Sequence, residues 1–153
     1  MTNNGPAWSI RSVLLSVSDL DHSSTFFQDV MNMHEVHRDD QALVLASAAP
    51  GSMLLYMRRA YRNAVHPGSQ ALGARMLSCD VGSFPELDRV EKRLRALDSF
   101  RDRIIIPGGE RLEAVLGYDP DRLALAFVAQ HPDRTMTTAD YEEVWTRIFS
   151  VDV

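Results

Sequence analysis

The sequence predicts an α+β fold made of two βαβββ modules with one further helix at the C-terminal end. Three observations lead there. The order strand, helix, strand, strand, strand is legible twice. The apolar stripes of the two helices stay in phase when the halves are superposed. One amphipathic segment, Thr137 to Phe149, is left over after the second module.

Ser12 to Val17 is a short apolar run, and Ser18-Asp19-Leu20-Asp21 behind it supplies side-chain oxygens that can cap a helix. In the helix expected from about Asp21 to Met31, Phe26, Phe27, Val30 and Met31 form a stripe that one face can bury. Strands are expected at Met33 to Arg38, Ala42 to Ala46 and Met53 to Arg58, with Asp39-Asp40 and Pro50-Gly51 as the turns between them. The first module is therefore 10–58. A mixed stretch, 59–73, contains the turn signal His66-Pro67-Gly68-Ser69 and reads as the connector.

The pattern then restarts in a second module, 74–130. Met76 to Val81 is strand-like, and Ser83-Phe84-Pro85-Glu86 has capping-box spacing with proline in the first helical turn. The helix runs to about Leu97, with Leu87, Val90, Leu94 and Leu97 on one face and Asp88/Lys92 and Glu91/Arg95 as i,i+4 pairs on the other. Strands follow at Arg103 to Ile106, Leu112 to Tyr118 and Leu123 to Val128, separated by Pro107-Gly108-Gly109 and Asp119-Pro120-Asp121. Setting Val17 against Val81 places Phe26 over Val90 and Val30 over Leu94 without a gap. Phe26, Val30, Leu87, Val90 and Leu94 are thus expected between helices and sheets. In the last helix, 137–149, Tyr141, Val144, Trp145 and Ile148 line one face, which must dock either on the body of the chain or on a second subunit.

Composition narrows the function classes. A chain of 153 residues with 45% hydrophobic and 24% charged content suits a single domain, 1–153, with a real core. Met53 to Met57 and Leu123 to Ala129 are far shorter than the roughly 20 apolar residues of a membrane span, so no membrane partner is expected. Met1 to Pro6 has neither a basic nor an apolar leader character and reads as a frayed terminus, so a cytoplasmic protein is the expectation. A net charge of −5 and the lack of a basic run argue against nucleic acid. The lone Cys79 can form no internal disulfide and reads as a buried strand residue.

The run Val13-Leu14-Leu15-Ser16-Val17-Ser18-Asp19-Leu20, followed by Ser23-Ser24-Thr25-Phe26-Phe27, resembles the opening of vicinal-oxygen-chelate proteins: the glyoxalase, bleomycin-resistance and ring-cleaving dioxygenase group. Their first strand ends in V-x-D-L before a helix carrying an aromatic pair. Tyr118-Asp119-Pro120-Asp121 is similar to the D-P-D-G turn before their last strand, with Arg122 in place of the glycine. The resemblance covers about Ile10 to Gln130. It implies that the strands curl into a mixed-sheet cup holding the ligand site. Catalytic members set a metal on His, Gln or Glu from the first and last strands of both modules. Carried over residue by residue, those positions fall here on Ser12, on Leu54 or Leu55, on Met76, and on Leu125 or Ala126. None offers a ligand for a hard metal, so no metal and no cofactor are expected.

Other clusters read as structure. His34-Glu35-Val36-His37 lacks HExxH spacing; on a regular strand His34 and Val36 face one way, Glu35 and His37 the other. His22 and His66 show no partner in the sequence, Asp39-Asp40 reads as a turn, Glu142-Glu143 as a solvated helix face, and Gly108-Gly109 lacks the spacing of a phosphate loop. Two functions are open. One is a binding protein that sequesters or senses a small, partly apolar molecule in the cup, with Ser12, Tyr56, Arg58, Met76, Ser78, Asp80 and Tyr118 as candidate ligand contacts. The other is a lyase, isomerase or dioxygenase-like enzyme of the same superfamily, metal-free or with non-standard metal ligands. The resemblance, with the apolar stripe of the last helix, also leads to the expectation of a homodimer.

Overall fold

The computed structural model describes residues 10–49, 52–65, 74 and 76–149. The expected features at Met1 to Pro6, Pro50-Gly51 and His66 to Ser69 lie outside them. The chain divides between Arg62 and Asn63 into two compact units.

The first unit contains β1 (Ser12–Val17), α1 (Leu20–Met31), β2 (His34–Arg38), β3 (Ala42–Ala46) and β4 (Leu54–Arg59). Its four-stranded sheet runs β1-β4-β3-β2, with β1 parallel to β4 and the other pairs antiparallel. Asp19 caps α1 by accepting from the His22 N–H at 2.9 Å, and Asn32 ends it in the left-handed conformation. The stripe of Phe26, Phe27 and Val30 is buried and packs on the sheet face that carries Leu43, Leu45, Leu55 and Met57.

One local expectation is corrected. A bulge between Glu35 and His37 shifts the register of β2, so His34 pairs opposite Ala46 and His37 opposite Val44 on one face. Glu35 and Arg38 take the α1 face, where Arg38 binds Glu35 and Asp21. The two histidines, not Glu35 and His37, share a side. Asp39 makes the expected turn by accepting from the Gln41 and Ala42 N–H groups.

The second unit repeats the order with β5 (Met76–Asp80), α2 (Phe84–Ala96), β6 (Phe100–Ile105), β7 (Leu112–Tyr118) and β8 (Ala124–Gln130), followed by α3 (Thr138–Phe149). Its sheet runs β5-β8-β7-β6, again with a parallel β5–β8 pair. Ser83 caps α2, and Pro85 occupies its first turn. Leu87, Val90 and Leu94 are buried against the face carrying Val115, Leu125 and Phe127. Glu91 pairs with Arg95 as expected, while Asp88 reaches Arg103 at 2.7 Å.

β6 begins at Phe100, ahead of the expected Arg103, although Arg101, Asp102 and Arg103 are a poor strand signal. Partners elsewhere make the charged stretch tolerable: Arg103 is held by Asp88, Glu91 and the buried Glu113, and Arg111 binds the other Glu113 oxygen. Burial would raise the Glu113 pKa, but the two guanidinium groups hold it below its ordinary value.

The turn before β8 keeps its length despite the missing glycine. Asp119 Oδ1 accepts from the Asp121 and Leu123 N–H groups, and Arg122 itself takes the left-handed conformation, φ 68°. Its guanidinium lies 4.8 Å from the Tyr118 ring centre.

Because Leu94 is fully buried, Leu94→Ala is expected to lower unfolding stability by about 2–5 kcal/mol in urea titrations. A change within experimental error would mean that α2 does not cover this sheet.

Candidate functional site

Each sheet has a face turned away from the helix of its own module. In the first unit the paired positions on that face are Ser12 with Leu54, Leu14 with Tyr56, and Ser16 with Arg58, continued by Val44 and Ala46 on β3 and by His34 and His37 on β2. None of these residues is buried; Leu14 is 58% exposed. The strand period produces the contrast directly, since Leu55 and Met57, one step along β4, are 0% exposed beneath α1. The face mixes apolar surface with hydroxyl, imidazole and guanidinium groups.

The corresponding face of the second unit pairs Met76 with Ala124, Ser78 with Ala126, and Asp80 with Val128. Here α3 packs on β6 and β7. Val144 and Ile148 join Ile104, Ile106, Leu112, Ala114, Leu116, Ala126 and Val128 in one buried cluster, with Met76, Tyr118, Met136 and Phe149 packed against it. The Tyr118 hydroxyl donates to the Ile148 carbonyl at 3.0 Å. Met76 and Tyr118 therefore contribute to a core, while Ser78 and Asp80 on the edge strand stay exposed. Asp80 uses one oxygen to accept from the Gly82 N–H.

A buried ion pair fixes the start of α3. Arg134 donates to Asp140 at 2.9 Å and to the Pro107 and Glu110 carbonyls at 3.2 and 3.4 Å. Gly108 and Gly109, both at positive φ, let that loop run close beneath the guanidinium. The other Asp140 oxygen accepts from the Thr137 N–H. This backbone bond, opposed by burial and aided by Arg134, holds the Asp140 pKa below its ordinary value of 3.8. The apolar stripe of α3 thus docks on its own chain through Val144 and Ile148, and Tyr141 and Trp145 face outward at 50% and 39% exposure.

The register settles which residues share the open faces. Leu54, not Leu55, stands beside Ser12; Ala124 and Ala126, not Leu125, stand beside Met76 and Ser78. Ser, Leu, Met and Ala stand at these places, with no carboxylate or imidazole among them. Among the described residues no three His, Cys, Asp or Glu side chains come together as a metal group. Cys79 pairs with Phe127 on the α2 side, and burial pushes its thiol up to about 11, which leaves it a poor nucleophile. No described helix is long and apolar enough to cross a membrane.

No protein-family model and no curated protein matches the sequence. Solved structures do. A glyoxylase/bleomycin resistance protein/dioxygenase domain from Frankia sp. EAN1pec superposes with a TM-score of 0.66 at 23% identity, covering 82% of this chain and 100% of that one. Lactoylglutathione lyase from Agrobacterium tumefaciens gives 0.60 at 22% identity, covering 82% and 96%. The fosfomycin resistance protein FosX from Listeria monocytogenes gives 0.59 at 16% identity, covering 84% and 96%. The chain has the fold shared by these glyoxalase, bleomycin-resistance and dioxygenase structures, as the resemblance carried by Val13 to Leu20 and Tyr118 to Asp121 implied.

Replacing Arg134 by Met should free the start of α3, lowering the thermal midpoint by roughly 5 °C or more and opening 132–138 to limited proteolysis. Unchanged melting and protection would contradict the anchoring role. In the parent protein the Asp140 contribution is complete above pH 3.8 and is lost only as pH falls through the lower folded-state pKa, so α3 should be equally protected at pH 5 and pH 7.

Proposed function

We propose that this protein binds a small, partly apolar molecule on the first unit's open sheet face, without metal chemistry, as a sequestering or sensing protein. One observation carries the reading. The two modules present equivalent faces, and the chain closes the second with α3 while no described segment of the first unit covers Leu14, Val44, Leu54, Tyr56 and Arg58. A partly apolar surface with a few polar groups is the usual make-up of a small-molecule site. Ser12, Tyr56 and Arg58 would supply its polar contacts. Bleomycin-resistance and fosfomycin-resistance proteins among the structural neighbours make a resistance or scavenging role a natural setting. Pairing of two copies belongs to the same reading, with Tyr141 and Trp145 as the outward apolar residues of α3.

The enzyme alternative keeps one observation in its favour: the β2 bulge sets His34 and His37 on the same open face. Two imidazoles with Tyr56 and Arg58 could serve acid–base chemistry, but among the described residues no third His, Cys, Asp or Glu joins them as a metal group.

Metal analysis of protein purified without chelator, joined to thermal-shift screening, separates the two. The binding reading expects less than a tenth of an equivalent of metal, no shift with divalent cations, and a saturable rise in melting temperature with some apolar small molecules. A stoichiometric metal whose removal abolishes a reaction would overturn it.

A further inference from the structure

Resting on that binding reading, we propose that the first unit's open face selects anions, specifically a flat apolar molecule bearing one carboxylate, sulfonate or similar group held by Arg58.

The inference comes from how charge is distributed within the unit. Two nearby carboxylates, Asp21 and Glu35, pair with Arg38 on the α1 side, and Asp19 caps α1. The open face itself carries apolar, hydroxyl, imidazole and guanidinium side chains and, among the described residues, no acidic one. At its rim stands one carboxylate, Asp39. One of its oxygens is occupied by two backbone N–H groups and the other lies 3.9 Å from His37. Arg58 is exposed and has no carboxylate within ion-pair distance among the described residues; it acts on Asp39 only at longer range. By contrast, Arg38, Arg103 and Arg134 are all neutralised by carboxylates. In a chain of net charge −5, a partly apolar face whose guanidinium has no ion-paired carboxylate among the described residues complements an anion and rejects a cation.

Tyr56 and Leu14 are register partners, and Arg58 lies two residues along β4 from Tyr56. A ring stacked on Tyr56 therefore puts an acidic substituent about 6–7 Å away within reach of the guanidinium.

The test uses two fluorescent probes that differ by one group: 8-anilinonaphthalene-1-sulfonate and the neutral N-phenyl-1-naphthylamine. The sulfonate should bind roughly ten times more tightly than the neutral probe. Arg58→Gln should remove most of that difference while changing the neutral probe's affinity less than about twofold. Arg59→Gln, one residue on and facing the α1 side, should leave both affinities unchanged, and Leu14→Gln should weaken both. Equal affinities in the parent protein, or equal losses for Arg58→Gln and Arg59→Gln, would overturn anion selection and leave the binding face standing. If neither probe binds saturably to the folded protein, the binding reading falls and this proposal with it.

Discussion

A sheet with two apolar faces needs two covers, and a βαβββ module brings only one helix. That constraint organises the second unit. β7 is buried along almost its whole length because α2 takes one face and α3 the other, and Ala124, Ala126 and Val128 of β8 join the same buried cluster. Burying the Val144 and Ile148 side chains contributes on the order of 1.5–3 kcal/mol each, more than an exposed ion pair supplies. Arg134 and Asp140 add direction: a buried, doubly bonded carboxylate fixes where the helix begins, and apolar burial holds it down.

The first unit shows what the same module looks like with only one cover. Burial alternates along β1 and β4, most clearly in β4, where half-buried or exposed Leu54, Tyr56 and Arg58 alternate with the fully buried Leu55 and Met57. The two modules have thus diverged in use while keeping one topology. One sheet spends its second face on stability. The other leaves residues of mixed chemistry, Leu14 and Arg58 among them, exposed.

Much of this was legible in the sequence where the controlling interaction is local. The Asp19 and Ser83 caps, the in-phase stripes of Phe26/Val30 and Val90/Leu94, and the Asp119 turn each depend on residues a few positions apart. What escaped depends on distant partners. The early start of β6 relies on Glu113 from β7 and on Asp88 and Glu91 from α2, which no strand propensity can express. The β2 bulge is a property of its pairing with β3, so the facing of His34 and His37 followed the simple alternation only up to Glu35. For α3 the signal was present in another element: Leu112 to Tyr118 and Ala124 to Gln130 are near-continuous apolar runs, the pattern of strands covered on both sides. The small Ala114, Ala124 and Ala126 are where a helix can approach closely.

Closure of the second unit's sheet face by α3 of the same chain is directly measurable by methyl NMR. Cross-relaxation between Val144 or Ile148 methyl groups and those of Ile104, Ala114 or Leu116 is expected, and it should persist when labelled and unlabelled chains are mixed. Random-coil shifts for Ile148 with no such cross-peaks, or cross-peaks that arise only between differently labelled chains, would mean that α3 does not close this face within its own chain.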